Sequence, residues 1–144
     1  MIKALQFTDI PDCVGWWRDT PSAYELVGGT ALEVEHTDTR YLNRVFGHCL
    51  DSNCSYVSYE NGKVTGMALG MVIPNVLIPS RKDLHLLALH STNKITTGKL
   101  FFKWLSQAET LNYRIIVDEL PSHTINYEKH GFKLLRKSFI KETE

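Results

Sequence analysis

The chain has 144 residues, 16 basic against 16 acidic side chains and 43% hydrophobic residues, the size and make-up of one globular domain spanning 1–144. Such a composition excludes a disordered or collagen-like chain. The longest nearly apolar run, Met67 to Ile73, stops at Pro74, far short of the roughly 20 residues that cross a bilayer, so no membrane partner is expected.

Met1-Ile2-Lys3 leads into Gln6, Thr8 and Asp9 without the basic start and apolar core of a secretion signal, and a cytoplasmic location is expected by default. Charge is uneven: five basic against nine acidic residues up to Val72, eleven against seven from Ile73 onward. This excess is too sparse for a nucleic-acid stripe and suits a small polyanion. Cys13, Cys49 and Cys54 lack CxxC spacing and read as reduced thiols, with neither a disulfide framework nor a metal site.

In chain order, Lys3 to Phe7 reads as a first strand, and Asp9 caps a short helix with Pro11 in its first turn and Val14, Trp16 and Trp17 on its packing face. Residues 19–30, with Pro21 and Gly28-Gly29, read as a loop. Thr37 or Asp38 begins a second helix whose buried face carries Tyr41, Leu42, Val45, Phe46 and Cys49. Ser55 to Glu60 and Lys63 to Ile73 flank Asn61-Gly62 and predict a tight hairpin. After the stretch bounded by Pro74 and Pro79, Leu84 to Leu89 reads as a buried central strand. Thr97 to Asn112 keeps helical spacing through Leu100, Phe101, Trp104, Leu105, Ala108 and Leu111, and Arg114 to Val117 reads as a strand. Ser122 to His130 predicts a short helix stopped by Gly131, and Phe132 to Ile140 a last strand or strand pair.

Two segments could carry chemistry. Asn93, Lys94, Ile95, Thr96, Thr97, Gly98 and Lys99 lie between a buried strand and a helix, where outward backbone N–H groups and the helix dipole favour an anion. The small Thr96, Thr97 and Gly98 let a phosphate approach, and Lys94 and Lys99 add charge. The same residues also open helices that bind nothing. The second segment runs from Asn126 through Tyr127, Glu128, Lys129, His130 and Gly131 to Phe132. Locally it is a helix stop.

Together with the hairpin ending Val64 to Met67, these segments resemble the GNAT N-acetyltransferase superfamily, whose Y-E-K-x-G-F motif is matched by Tyr127 to Phe132. The layout resembles the small GNAT-like proteins of tailed phages. The resemblance implies an α/β (α+β) GNAT fold: a twisted, mostly antiparallel mixed sheet with helices on both faces and a V-shaped cleft at the fourth strand. It implies acetyl-CoA as co-substrate, its pyrophosphate wrapped by Asn93 to Lys99 and Asn126 close by. In the family pattern R/Q-x-x-G-x-G/A, Asn93 takes the Arg/Gln place, Thr96 the first Gly and Gly98 the last. Backbone groups of Leu87, Ala88 and Leu89 would pair with the pantetheine arm.

The family's chemistry is direct attack of a neutral amine on the thioester. By position, Asp83 matches the acidic residue that often serves as base, with His85 on the same strand face as an alternative. Tyr127 matches the group that protonates the leaving thiolate, a phenol pKa of about 10 lying above the roughly 8.5 of a thiol. Each has a plain structural reading too: Asp83 as a solvated strand start, His85 and His90 as edge or core histidines, Tyr127 as a packing aromatic. Implied is transfer of an acetyl group to an amine of a small molecule or protein, the acceptor unspecified and a homodimer allowed for. The alternative is a GNAT-fold protein without catalysis, a structural or host-interacting virion component, and the location then becomes host cytoplasm or virion.

Overall fold

The structure, a computed structural model, describes residues 1–20, 38–74, 77–78, 80–118 and 125–135, with 139, 141 and 143. The expected loop beyond Thr20, Pro79 itself, residues 122–124 of the helix expected from Ser122 and residues 136–138 and 140 of the last expected strand lie outside the described residues. Residues 132–135, expected as the start of that strand, are not strand, since they follow the Gly131 turn without pairing to any described strand.

The described elements are β1 (Ile2–Ala4), a 3-10 turn (Phe7–Asp9), α1 (Ile10–Asp19), α2 (Thr39–Asp51), β2 (Ser55–Glu60), β3 (Lys63–Pro74), β4 (Lys82–Ser91), α3 (Lys94–Ala108), β5 (Arg114–Ile116) and a second 3-10 turn (Tyr127–His130). The strands form one open sheet in the order β1-β2-β3-β4-β5. β1 to β4 run antiparallel to their neighbours, and β5 joins β4 in parallel.

Local chemistry explains the boundaries. Asn61 and Gly62 take φ of 52° and 76°, the left-handed pair that turns β2 into β3 with the twist a hairpin needs. Asp38, in extended conformation, accepts from the Arg40 N–H at 2.8 Å and starts α2. β3 passes close to its neighbours at Gly70, where a side chain would run into the Cys54 carbonyl and the Trp104 indole, so only glycine fits.

Each face of the sheet is covered. α1 and α2 bring Ile10, Cys13, Val14, Leu42, Phe46 and Cys49 onto Val57, Met67, Leu69 and Ala88. On the opposite face, α3 brings Leu100, Phe101, Trp104, Leu105 and Ala108 onto Tyr56, Ala68, Leu84, Leu86 and Leu89. Two cores of this kind, separated by a sheet, are the expected α/β layering.

Three expectations need correcting. Tyr41 is 57% exposed while Leu42, Phe46 and Cys49 are buried, because the buried stripe of α2 is centred on 42, 46 and 49 and Tyr41 falls a helical step to its side. The first strand ends at Ala4, since Phe7–Asp9 is already a turn in which the Asp9 carboxylate accepts from the Gln6 N–H at 2.9 Å. Finally, α3 starts at Lys94, three residues before the expected Thr97, because Asn93 outcompetes the threonines as cap: its Oδ1 accepts from the Thr96 N–H at 2.8 Å.

Candidate active site

The sheet opens beside β4. Its ladder with β5 has three register pairs, Asp83↔Arg114, Leu84↔Ile115 and His85↔Ile116. β4 then continues to Ser91, whereas Val117 and Asp118 are no longer strand. Opposite β3, Leu69 pairs Ala88 but Gly70 pairs Leu86, so Leu87 is the extra residue of a β-bulge. A bulge bends its strand and puts two neighbouring side chains on one face. Accordingly Leu86 and Leu89 both join the α3-side core while Ala88 joins the α1/α2 side. Leu87, in the middle of a central strand, is 40% exposed between buried neighbours. The bend thus falls where β4 and β5 part.

At the closed base of this opening, the Asp83 carboxylate is buried and takes both arms of the Arg114 guanidinium, Nε on Oδ1 at 2.9 Å and Nη2 on Oδ2 at 2.8 Å. Arg114 holds the Asp83 pKa below the usual carboxylate value, outweighing the effect of burial, with the charges of His85 and Arg81 acting in the same direction. A two-armed guanidinium–carboxylate contact also fixes the plane of the carboxylate. His85 is half-buried, opposite Met71, on the α1/α2 side of the sheet. His90, on the same side, lies 5.7 Å from the Trp16 ring centroid.

The open end of β4 runs into the start of α3. The Ser91 hydroxyl contacts the Thr97 hydroxyl at 2.7 Å, donates to the Asn93 carbonyl and accepts from the Asn93 N–H at 3.2 Å, and Thr97 N–H bonds the Asn93 carbonyl at 3.1 Å. This network locks the turn between strand and helix. With Thr96 capped by Asn93, the Lys94 and Ile95 amides at the first two helical positions make no hydrogen bond among the described residues. Gly98 faces open space, with nothing within 4 Å of a would-be Cβ. Lys94 and Lys99 are exposed. Two aimed amides, a glycine face and two cations suit a phosphate-bearing ligand.

Tyr127 lies on the other side of β4 from His85. Its ring is buried in the α3-side core, edge-on to Phe101 at 5.5 Å and to Phe132 at 6.0 Å between centroids. The 3-10 turn holding it is capped by Asn126, whose Oδ1 accepts from the Lys129 N–H at 3.3 Å, and stopped by Gly131 at φ 87°. The sheet thus divides the candidate residues: Asp83 and His85 lie on its α1/α2 face, Tyr127 in the core under α3 on the other.

Arg114 was not anticipated from sequence. As the first residue of a short apolar run it carries no local signal, and only the parallel register shows its partner. Asn93 had a signal, the preference of asparagine for helix caps. A separate cavity of about 450 Å³, lined by Leu5, Leu50, Asn53, Tyr56 and Gln107 among others, contains none of the candidate residues. Cys13, Cys49 and Cys54 are buried, and burial pushes each thiol up to about 12. Among the described residues, no three His, Cys, Asp or Glu side chains group as metal ligands, and no helix is long and apolar enough to cross a membrane.

No family model and no curated protein sequence matches the chain. Solved structures do. A GCN5-related N-acetyltransferase from Ralstonia eutropha JMP134 is 14% identical at TM-score 0.68, over 99% of this chain and 97% of that one. A predicted acetyltransferase from Clostridium acetobutylicum, solved with acetyl-CoA, is 16% identical at 0.59, over 99% and 95%. Glucosamine-6-phosphate N-acetyltransferase from Arabidopsis thaliana is 18% identical at 0.58, over 100% and 98%. At such identities the likeness establishes the fold, an open mixed α/β sheet of the GNAT kind.

Proposed function

We propose that this chain, which has the GNAT fold, is an acyltransferase that moves an acetyl group from acetyl-CoA to an amine. The observation that carries the reading is the parting of β4 from β5 after three pairs, with the Leu87 bulge at the parting and the α3 N-terminus at its open end. Acetyl-CoA supplies the activated acyl group. Its pyrophosphate would meet the amides of Lys94 and Ile95, the open face of Thr96 to Gly98, and Lys94 and Lys99, with Asn126 close by. The arm would run along Leu87, Ala88 and Leu89, whose backbone groups orient the thioester carbonyl.

The amine attacks from the His85 face. A C–N bond forms, the C–S bond breaks, His85 accepts the proton lost by nitrogen, and the thiolate leaves towards Tyr127, whose phenol donates to it. Asp83 was the other candidate for the base. With both oxygens on Arg114, its part in this reading is the fixed anion two residues from His85.

The test is release of free CoA thiol in the presence of an amine panel of small molecules, peptides and lysine-bearing proteins. Tyr127→Phe should lower turnover at least severalfold and leave acetyl-CoA affinity nearly unchanged. Wild-type turnover in that variant would remove Tyr127 from the mechanism. A second reading, a GNAT-fold protein acting without catalysis as a structural or host-interacting component, is favoured by one observation: Asn93 itself occupies the Thr96 amide. It predicts no thiol release with any amine.

A further inference from the structure

The Asp83–Arg114 pair does more than neutralise a charge. Asp83 is 5% exposed at its side chain against 41% for Arg114, so the carboxylate depends on a partner that reaches in from the surface. Removing the guanidinium would leave an uncompensated anion where water has little access, the costly way to break such a pair. The pair also stands in register at the first rung of the β4–β5 ladder. A parallel contact of three rungs is a weak join by backbone alone. Everything beyond it, from Leu86 to Ser91, runs along the opening.

We infer that Arg114 is a positioning residue that, by gripping Asp83, pins β4 to β5 at the base of the opening and thereby sets how far the strands part. His85 lies two residues along β4, on the same face as Asp83 and on the last rung of the ladder, so the same grip fixes its approach to an acceptor. A lysine cannot replace this arginine, because a single ammonium does not hold both carboxylate oxygens in one plane. The functional part of the inference rests on the acetyl-CoA reading above; the structural part does not.

Amide hydrogen exchange and acetyl-CoA calorimetry on wild type, Arg114→Met and the milder Arg114→Lys separate the two parts. Expected is faster exchange confined to those amides of Asp83 to His85 and Arg114 to Ile116 that face the neighbouring strand of this ladder, with the amides of the β2–β3 hairpin unchanged. Acetyl-CoA affinity should fall about tenfold in Arg114→Met, as the competent spacing becomes a minor population, and by less in Arg114→Lys. A grip that merely adds global stability would speed exchange everywhere and leave affinity measured well below the Tm untouched, and that result overturns the inference. So would wild-type exchange and affinity in either variant. If the wild-type protein itself binds no acetyl-CoA, the functional reading fails, and faster exchange confined to the β4–β5 ladder amides still upholds the grip.

Discussion

Two buried aspartates, Asp9 and Asp83, are each about 5% exposed and each meet a cation, yet they are built into the molecule differently. Asp9 is tied from three elements: the Lys3 ammonium at 2.9 Å from β1, the Tyr59 hydroxyl at 2.9 Å from β2 and the Gln6 N–H at 2.9 Å ahead of α1. Burial would raise its pKa, but these three partners outweigh it and leave the carboxylate below its usual value. The same contact and burial push the Tyr59 phenol up. Asp83 has one guanidinium, at the edge of an opening and two residues from a histidine. The lesson is that burial and pairing alone do not mark a site. Asp9 closes a corner of the fold, whereas Asp83 borders a place where the sheet is left open.

The largest expected effect breaks the Asp9 corner. Asp9→Ala removes the one carboxylate that the Lys3 ammonium, the Tyr59 hydroxyl and the Gln6 amide share and should destabilise the fold by about 2–4 kcal/mol, lowering Tm by roughly 5–10 °C. Acetyl-CoA affinity of the folded fraction should not change; a matching loss of affinity would erase the distinction between the two aspartates.

Acid comes next and treats both alike. Because each folded-state pKa lies below the unfolded value of about 4, each carboxylate stabilises fully above that value and loses its contribution as pH falls through the folded-state value. Urea midpoints should therefore drop below about pH 4, and Asp9→Asn and Asp83→Asn should each flatten that drop. An unchanged acid slope in either variant would show that its carboxylate is not held as described.

The smallest effect on stability belongs to the open end. Gly98→Val has room for its side chain, and with glycine and valine both modest helix formers Tm should stay within about 2 °C of wild type. Acetyl-CoA affinity should nevertheless fall severalfold, since the added methyls stand where a phosphate approaches. Unchanged affinity would put the pyrophosphate elsewhere.

Much of the fold is legible in the residues because it rests on local signals. Asn61-Gly62 sets the hairpin to within a residue, and Leu100, Phe101, Trp104, Leu105 and Ala108 mark the buried stripe of α3. The site is less legible because its geometry comes from pairing at a distance. The Leu87 bulge exists only relative to Leu69 and Gly70, and the Asp83–Arg114 contact joins strands 31 residues apart. The start of α3 lies between these cases: Asn93 is a good cap, but the family pattern draws the eye to the small residues after it.

The measurement that bears most directly on the central claim is thermal denaturation of the purified chain with and without millimolar acetyl-CoA. A ligand at about 100 times its Kd adds roughly 2.7 kcal/mol, a rise of several degrees. Such a rise, absent with the same concentration of a nucleotide lacking the pantetheine arm, is the predicted result. No rise would contradict a cofactor site in the β4–β5 opening and leave the GNAT fold without its chemistry.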